Sequence, residues 1–591
     1  MKCKIQKATF IALFFLSSAG AQIVAQNNTL HQLFKNYYED RIKLFPLEAT
    51  AAGDNRYNNI LPNDGSQLFL KQVHEFYSKY QNDLSSYYKP ESLNQEDRIS
   101  FYILKDILNR ELEGEQFHKE LMPFAQFFSL PLKMGQLGSG TGDQPFKTVK
   151  DYDDWLQRMD AFSVWTDTTI ANFRKGIAAG IVLPKVLVLK MIPQMEKLSQ
   201  SDTSKNVFYG PVKHFPAKFS NEDKNRLTIA YNREINEQLI PSYKKLHAFF
   251  SGEYLNAARS TSGINALPNG DAMYRYYIYY FTTTHKTPEE IYQTGLTEVS
   301  RITAEMEKLK NQMGYTGTLK ELFNYMQTDK QFMPFKTVQE VLDSNRAVLA
   351  KIQPQLQKLF SVAPKTPFEI REVESFRAAA ASPQYNRSSA DGTRPGIYYI
   401  PILDPAKINT TNWPLEATFL HEAIPGHHYQ ISLLQENTSL PEFRRFSFYP
   451  AFAEGWALYC ESLGEQLGCY TDPYQRMGAY GTEIHRAIRL VVDVGLHTGK
   501  MTREDAIKYM MDNEAISEQI ATQEIERYIA MPGQALSYKT GELKIKELRD
   551  KYKKELGAKF NLMSFHDAIL KGGNMPLNIF EIYMDEWAKK N

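Results

Sequence analysis

The stretch His421-Glu422-Ala423-Ile424-Pro425-Gly426-His427-His428 places three imidazoles and a carboxylate within eight residues, directly after the largely apolar run Leu415 to Leu420. That run has the composition of the first turns of a helix, so the stretch reads as a helix end carrying metal ligands. In the common zinc helix His-Glu-x-x-His, two histidines four residues apart share one face about 6 Å apart along the axis, and the glutamate is the general base. Position 425 is proline here, and that spacing is absent.

Helix geometry shows what the chain must do instead. His421 and His427 are six residues apart, about 9 Å of rise and roughly 120° off the same face; His421 and His428 share a face but lie about 10.5 Å apart. Neither pair closes on one ion in a straight helix. Pro425 has no N–H and clashes with the preceding turn, and Gly426 tolerates positive φ, so the pair suits a bulge. Two residues looped out bring His427 into the second ligand position, and three bring His428. Every discarded residue frees backbone groups that need new partners, and Pro425 has no donor to lose, which favours His427. The bland alternative is a helix ending at Ile424 followed by a histidine-rich loop.

A second segment strengthens the metal reading. Ala451 to Glu461 (Ala-Phe-Ala-Glu-Gly-Trp-Ala-Leu-Tyr-Cys-Glu) is apolar nearly all round, as in a buried helix, yet it carries Glu454 and Glu461 seven apart on one face. Buried carboxylates need partners. Two histidines and a glutamate from a following helix, with water in the fourth position, form a catalytic zinc arrangement, and Glu454 lies 27 residues beyond His427. Glu461 then either supports the ligands from behind or replaces Glu454 as a ligand; a salt bridge to a buried arginine is the alternative.

His-Glu-x-x-Pro-Gly-His followed by Glu-Gly-Trp-Ala-Leu-Tyr resembles the bacterial domain-of-unknown-function family eight-eight-five, grouped with gluzincin-like zinc metallopeptidases. Phe45 to Asp54, Asn172 to Gly180 and Pro532 to Lys539 also resemble it, so the likeness spans nearly the whole mature chain. It implies a large, mainly α, multi-helix metallopeptidase-like fold. The family's substrates are mostly unassigned, and no substrate carries over.

Working outward, residues 1–26 read as an export signal: Lys2, Lys4 and Lys7, then the apolar Ala8 to Leu16, then Ala19-Gly20-Ala21 as cleavage site. No later apolar run reaches the roughly 18 to 20 residues of a membrane span, and Cys3 precedes the apolar stretch rather than following the cleavage site. The expected product is exported, periplasmic or secreted. With 69 basic and 68 acidic residues, a net charge of +1 excludes the basic excess of a nucleic-acid binder. Cys460 and Cys469, nine apart, would lie about 13 Å apart on a continuous helix, too far for a disulfide.

Residues 27–361 show helical periodicity and no catalytic constellation, and are expected to form one wall of a cleft; residues 362–591 carry the zinc motif. Thr287-Pro288-Glu289-Glu290 is a capping-box helix start. Thr366 to Val373 and Gly396 to Leu403 read as strands of a small sheet near the site, and an edge strand there could pair with an extended peptide. Arg486, Arg489, Asp493 and His497 share one face of an apolar helix, either as a buried ion network or as the lining of a polar cleft. By analogy with helical zinc peptidases, Tyr528, Tyr538 or His497 would stabilise an oxyanion.

The expectation is therefore hydrolysis of a peptide substrate with one zinc ion held by His421, His427 and Glu454. Glu422 is the general base, His428 and Glu461 support the site, and Arg486 or Arg489 contacts a substrate carboxylate. The competing readings are an exported binding protein whose metal site is structural and closed by a fourth protein ligand, and a hydrolase of non-peptide amides or esters.

Overall fold

Helix starts along this chain are written in capping chemistry. Thr148, Thr287, Thr318, Thr337 and Thr502 each accept a backbone N–H with the hydroxyl while a carboxylate three residues on returns a bond to the cap. The computed structural model describes residues 29–373, 382–389, 394–411 and 414–591; the expected leader, 1–26, lies outside them. The protein is mainly α with one small sheet. Among the described residues no helix is long and apolar enough to cross a membrane.

Two large apolar cores hold the helices together, and each draws on residues from both sides of position 361. One packs Ile103 and Leu104 with Trp456, Phe565 and Phe580; the other packs Trp155, Phe173 and Tyr243 with Ile488, Val491 and Ile525. Tyr and Phe, 35 of each, fill these cores: Phe173, Phe249, Phe250 and Tyr254 form one contiguous group of rings.

The helices that position the site are α1 (Pro288–Gln312), α2 (Leu415–Glu422), α3 (His427–Glu436), α4 (Pro450–Glu461), α5 (Pro473–His497), α6 (Glu518–Ala530) and α7 (Ser537–Leu556). The most extensive pairings are α4 with α7 and α1 with α5; α2 rests on both α4 and α5. In α4 every residue from Ala451 to Glu461 except Glu454 is buried, as its all-round apolar composition requires. Cys460 and Cys469 are buried free thiols.

The sheet has the order β1-β3-β2, with β1 Phe368–Glu372, β2 Gln384–Asn386 and β3 Gly396–Ile400. β1 runs parallel to β3 with Phe368 opposite Gly396, and β2 runs antiparallel with Tyr385 opposite Tyr398. Two of these strands coincide with the segments that alternate in sequence. The third, β2, is an edge strand that no periodicity announces, because it is only three residues long and polar. β3 is not an edge: it is central and buried along its whole length.

α4 and α7 meet backbone to backbone. A Cβ placed on Gly541 would lie 1.7 Å from the carbonyl oxygen of Ala451, and one on Gly455 would lie 2.5 Å from the Gly541 Cα. Neither clash involves a side chain that could swing away. Gly541→Ala is therefore expected to destabilise the fold by about 1–3 kcal/mol through overpacking, measured as a lower denaturant midpoint at unchanged m-value. An unchanged midpoint would show that the helices do not need this contact.

Candidate metal centre

The motif does not form the bulged helix that its spacing suggests. α2 ends at Glu422, residues 423–426 fold back, and α3 begins at His427. The link is tight: a Cβ on Gly426 would lie 1.9 Å from the carbonyl oxygen of His421, so only glycine lets the chain double back across the end of α2. The freed groups find partners. The His428 N–H donates to the Ala423 carbonyl at 3.1 Å, and the Pro425 carbonyl accepts from Trp456 Nε1 at 2.9 Å and Cys460 Sγ at 3.5 Å. α4 thus anchors the turn, which accounts for the indole in its sequence.

The turn sets the His421 and His427 rings edge to face, with centroids 4.9 Å apart. Glu454 faces both: its Oε2 lies 3.5 Å from His421 Nε2 and 3.4 Å from His427 Nε2. Among the described residues His421, His427 and Glu454 form the one group whose ligand atoms lie close enough together for a single ion. Zinc–ligand bonds of about 2.0–2.1 Å in a tetrahedron place neighbouring ligand atoms about 3.3 Å apart, and the two measured spacings match that edge. They are also longer than a good N–H···O hydrogen bond.

Behind this group, Glu461 Oε1 lies 2.7 Å from His421 Nδ1, and the other carboxylate oxygen accepts from the Thr482 hydroxyl. Glu461 is thus turned to the back of His421, away from the Nε2 side, as carboxylates are behind metal-bound histidines. Glu422 is half-buried at the end of α2 and accepts the Tyr385 N–H of β2 at 2.8 Å. His428 is separate: its Nδ1 lies 3.1 Å from the Tyr385 hydroxyl and 3.2 Å from the Ser432 hydroxyl, under β3, where the absence of a side chain at Gly396 leaves it room.

Electrostatics follow from this packing. Burial works against charge on His421, but its contacts with Glu454 and Glu461 outweigh it and raise the pKa to about 9. Burial would also raise Glu454, yet His427 and His421 hold it below the ordinary carboxylate range. Glu422 is pushed up by burial, and burial takes His428 down to about 4. Three carboxylates around two imidazoles form a pocket of negative potential, which a divalent cation suits.

The three oxyanion candidates part company. Tyr538, at the start of α7, stacks on the His421 ring at 6.5 Å and an interplanar angle of 19°. Tyr528 is buried in an ion network, donating to Glu524 at 2.6 Å and accepting from Arg489 Nε at 2.8 Å. His497 is a core residue: Nδ1 accepts the Ile264 N–H at 3.2 Å, Nε2 donates to the Tyr528 carbonyl at 3.1 Å, and burial lowers its pKa to about 3. Neither Tyr528 nor His497 has a free polar atom to offer a substrate.

Arg486 and Arg489 both stand over the Tyr538 ring, at 6.0 and 4.5 Å. The sequence reading did not find Tyr385, whose contribution is a backbone N–H, nor His485 and Glu514, paired at 2.7 Å. No residue pattern signals either.

A family profile described as "Bacterial protein of unknown function (DUF885)" matches residues 46–584. Among solved structures, a "putative lipoprotein" from Colwellia psychrerythraea superposes with a TM-score of 0.89 at 27% identity, covering 96% of this chain and all of its own. A second, of unknown function and from Shewanella oneidensis, superposes with a TM-score of 0.72 at 20% identity over 94% of this chain and 99% of its own. No curated protein matches.

Removing the His497 ring leaves the buried Ile264 N–H without this acceptor and takes from the Tyr528 carbonyl one of its donors, the Met531 N–H being the other. His497→Ala should cost about 2–5 kcal/mol of stability, read from chemical unfolding. A variant as stable as the parent would place His497 outside the core network.

Proposed function

The chain belongs to the bacterial DUF885 family, for which no reaction is described, and we propose that this member is an exported zinc-dependent hydrolase that cleaves peptide bonds. One observation carries the reading: His421, His427 and Glu454 supply three converging ligand atoms, while the two neighbours that could close a tetrahedron are turned elsewhere, Glu461 to His421 Nδ1 and His428 to Tyr385 and Ser432. Three protein ligands leave a position for water or substrate, whereas structural zinc sites have four. The leader-like residues 1–26, together with relatives named as lipoproteins, support export.

Zinc bound by these three residues would supply Lewis-acid chemistry, polarising a carbonyl oxygen and making water acidic near neutral pH. The protein's own groups do the rest. Tyr385 N–H fixes one oxygen of Glu422, so β2 sets the direction of that carboxylate. Burial raises its proton affinity, which suits a group that takes a proton from water and returns it to the leaving amine. Glu461 holds the proton on His421 Nδ1, leaving the Nε2 lone pair directed toward Glu454 and His427. The stacking of Tyr538 on His421 supports it, over Tyr528 and His497, as the residue whose hydroxyl donates to a developing oxyanion.

Purified protein should carry about one zinc per chain and cleave members of a mixed peptide library, read by mass spectrometry. Glu422→Gln should keep the metal and lose turnover by roughly two to four orders of magnitude. Protein that neither contains nor takes up zinc ends the proposal, and full activity in Glu422→Gln removes that residue as the base.

The fold-back at Pro425-Gly426 separates the two adjacent histidines. His427→Ala should abolish tight zinc binding, measured by competition with a chelating dye, whereas His428→Ala should retain most of it. The reverse order would make His428 the ligand.

A further inference from the structure

Beside Tyr538 the protein gathers positive charge that its own carboxylates do not match. Arg489 is only 6% exposed. Its Nε is spent on the Tyr528 hydroxyl and its Nη2 on Glu524 at 3.0 Å, while its Nη1 is buried without a partner. Arg527 shares the same Glu524 oxygen at 2.9 Å and has a buried, unpartnered Nε. Arg486, half-buried, bonds only the Thr482 carbonyl at 3.2 Å; its Nε is buried without a partner, and among the described residues no carboxylate pairs with it. Burial would raise the Glu524 carboxyl, but Arg527, His485 and Arg489 hold it well below its ordinary range, so it counts as one negative charge. Of the other carboxylates nearby, Glu514 is taken by His485 and Asp493 by the Tyr274 hydroxyl and the Gly533 N–H. One anion faces three guanidinium groups.

Buried cations with unspent donors are costly unless an anion arrives. We propose that Arg486 and Arg489, backed by Arg527, form a subsite for a substrate carboxylate. Guanidinium forks suit that ligand over phosphate-free neutral groups because they can donate two parallel bonds to it. The place of the subsite sets the distance from the reaction. Arg489 lies 4.5 Å from the Tyr538 ring, which lies 6.5 Å from the His421 ring. An extended peptide advances about 3.3–3.6 Å per residue, so two or three residues reach from a carbonyl at the metal centre to the guanidinium groups. The carboxylate is then either the free C-terminus of a peptide cut a few residues from its end or an acidic side chain at the same reach. The subsite rests on the hydrolase reading only for the position of the reacting carbonyl.

The test uses mixed-sequence pentapeptides in three forms: free acid, C-terminal amide, and amide with glutamate last. Wild-type, zinc-loaded protein should cleave the free acids with a kcat/KM on the order of 10- to 100-fold above the plain amides, the range for a lost hydrogen bond to a charged group. Arg486→Gln and, separately, Arg489→Lys should shrink that ratio through KM more than through kcat. Recovery in the glutamate amides would assign the subsite to a side chain, and failure to recover would assign it to the C-terminus. In parallel, Glu422→Gln protein should retain free acids over amides in fluorescence anisotropy. Selective retention without hydrolysis by the wild type keeps the subsite and removes the hydrolase reading. Equal retention of acids and amides overturns the subsite whether or not either is cleaved.

Discussion

The contact on which the rest depends contains no side chain. Where α4 crosses α7, Gly455 and Gly541 bring two backbones so close that a methyl group on either would overlap the other helix. That approach places Glu454, next to Gly455, and Tyr538, one turn before Gly541, around the same His421 ring. An ionic knot below the crossing holds the angle. Lys539, with no exposed side chain, reaches Glu542 at 2.6 Å, Glu483 of α5 at 2.7 Å and Glu298 of α1 at 3.0 Å. Burial would strip its proton, but these carboxylates hold its pKa above the ordinary lysine value. A cation so enclosed adds little net stability over an apolar core, yet removing it would leave three acids to share Arg301 and Lys546. It ties α7 to the pair α1 and α5.

The heptad spacing of Glu454 and Glu461 now has a physical reading. Seven residues return to the same helix face but advance about 10.5 Å, so the two carboxylates cannot both hold one small ion. A single imidazole bridges them: Nδ1 of His421 meets Glu461 at 2.7 Å and Nε2 faces Glu454 at 3.5 Å. Because Glu461 is an acceptor it keeps a proton on Nδ1, and a cation bound beside Glu454 would take the place of the second proton that the raised pKa puts on Nε2. One helix thereby supplies both acids that face His421, one at each ring nitrogen, the arrangement that would orient it as a metal ligand.

How much of this was legible depended on how local each signal is. Capping chemistry, the buried character of α4 and the identities of His421, His427 and Glu454 are written in short windows of sequence. The fold-back at Pro425-Gly426 was legible as an interruption but not in form, because a helix bulge and a link between two helices ask for the same two residues. β2 was invisible: Gln384-Tyr385-Asn386 has no periodicity to detect, and its role is played by a main-chain N–H. The choice of Tyr538 over Tyr528 and His497 was likewise closed to the sequence. All three lie within α5 to α7, and what separates them is which neighbour, Glu524, Ile264 or His421, the tertiary fold packs against each.

A net charge of +1 hides a sharp division inside the site. The Tyr538 ring packs on His421, which Glu454 and Glu461 face, and on Arg486 and Arg489, the latter sharing Glu524 with Arg527. Among groups this far buried the field between such clusters is weakly screened, so it would orient a ligand that carries charge at one end. On the proposed reading, a cation would settle at the carboxylates and an anionic chain end at the guanidinium groups. The Tyr538 ring touches both groups, the His421 ring at 6.5 Å and the Arg489 guanidinium at 4.5 Å. Orientation would then be determined before any specific side-chain contact formed, so a hydrolase built on the proposed site would accept different sequences in a single direction.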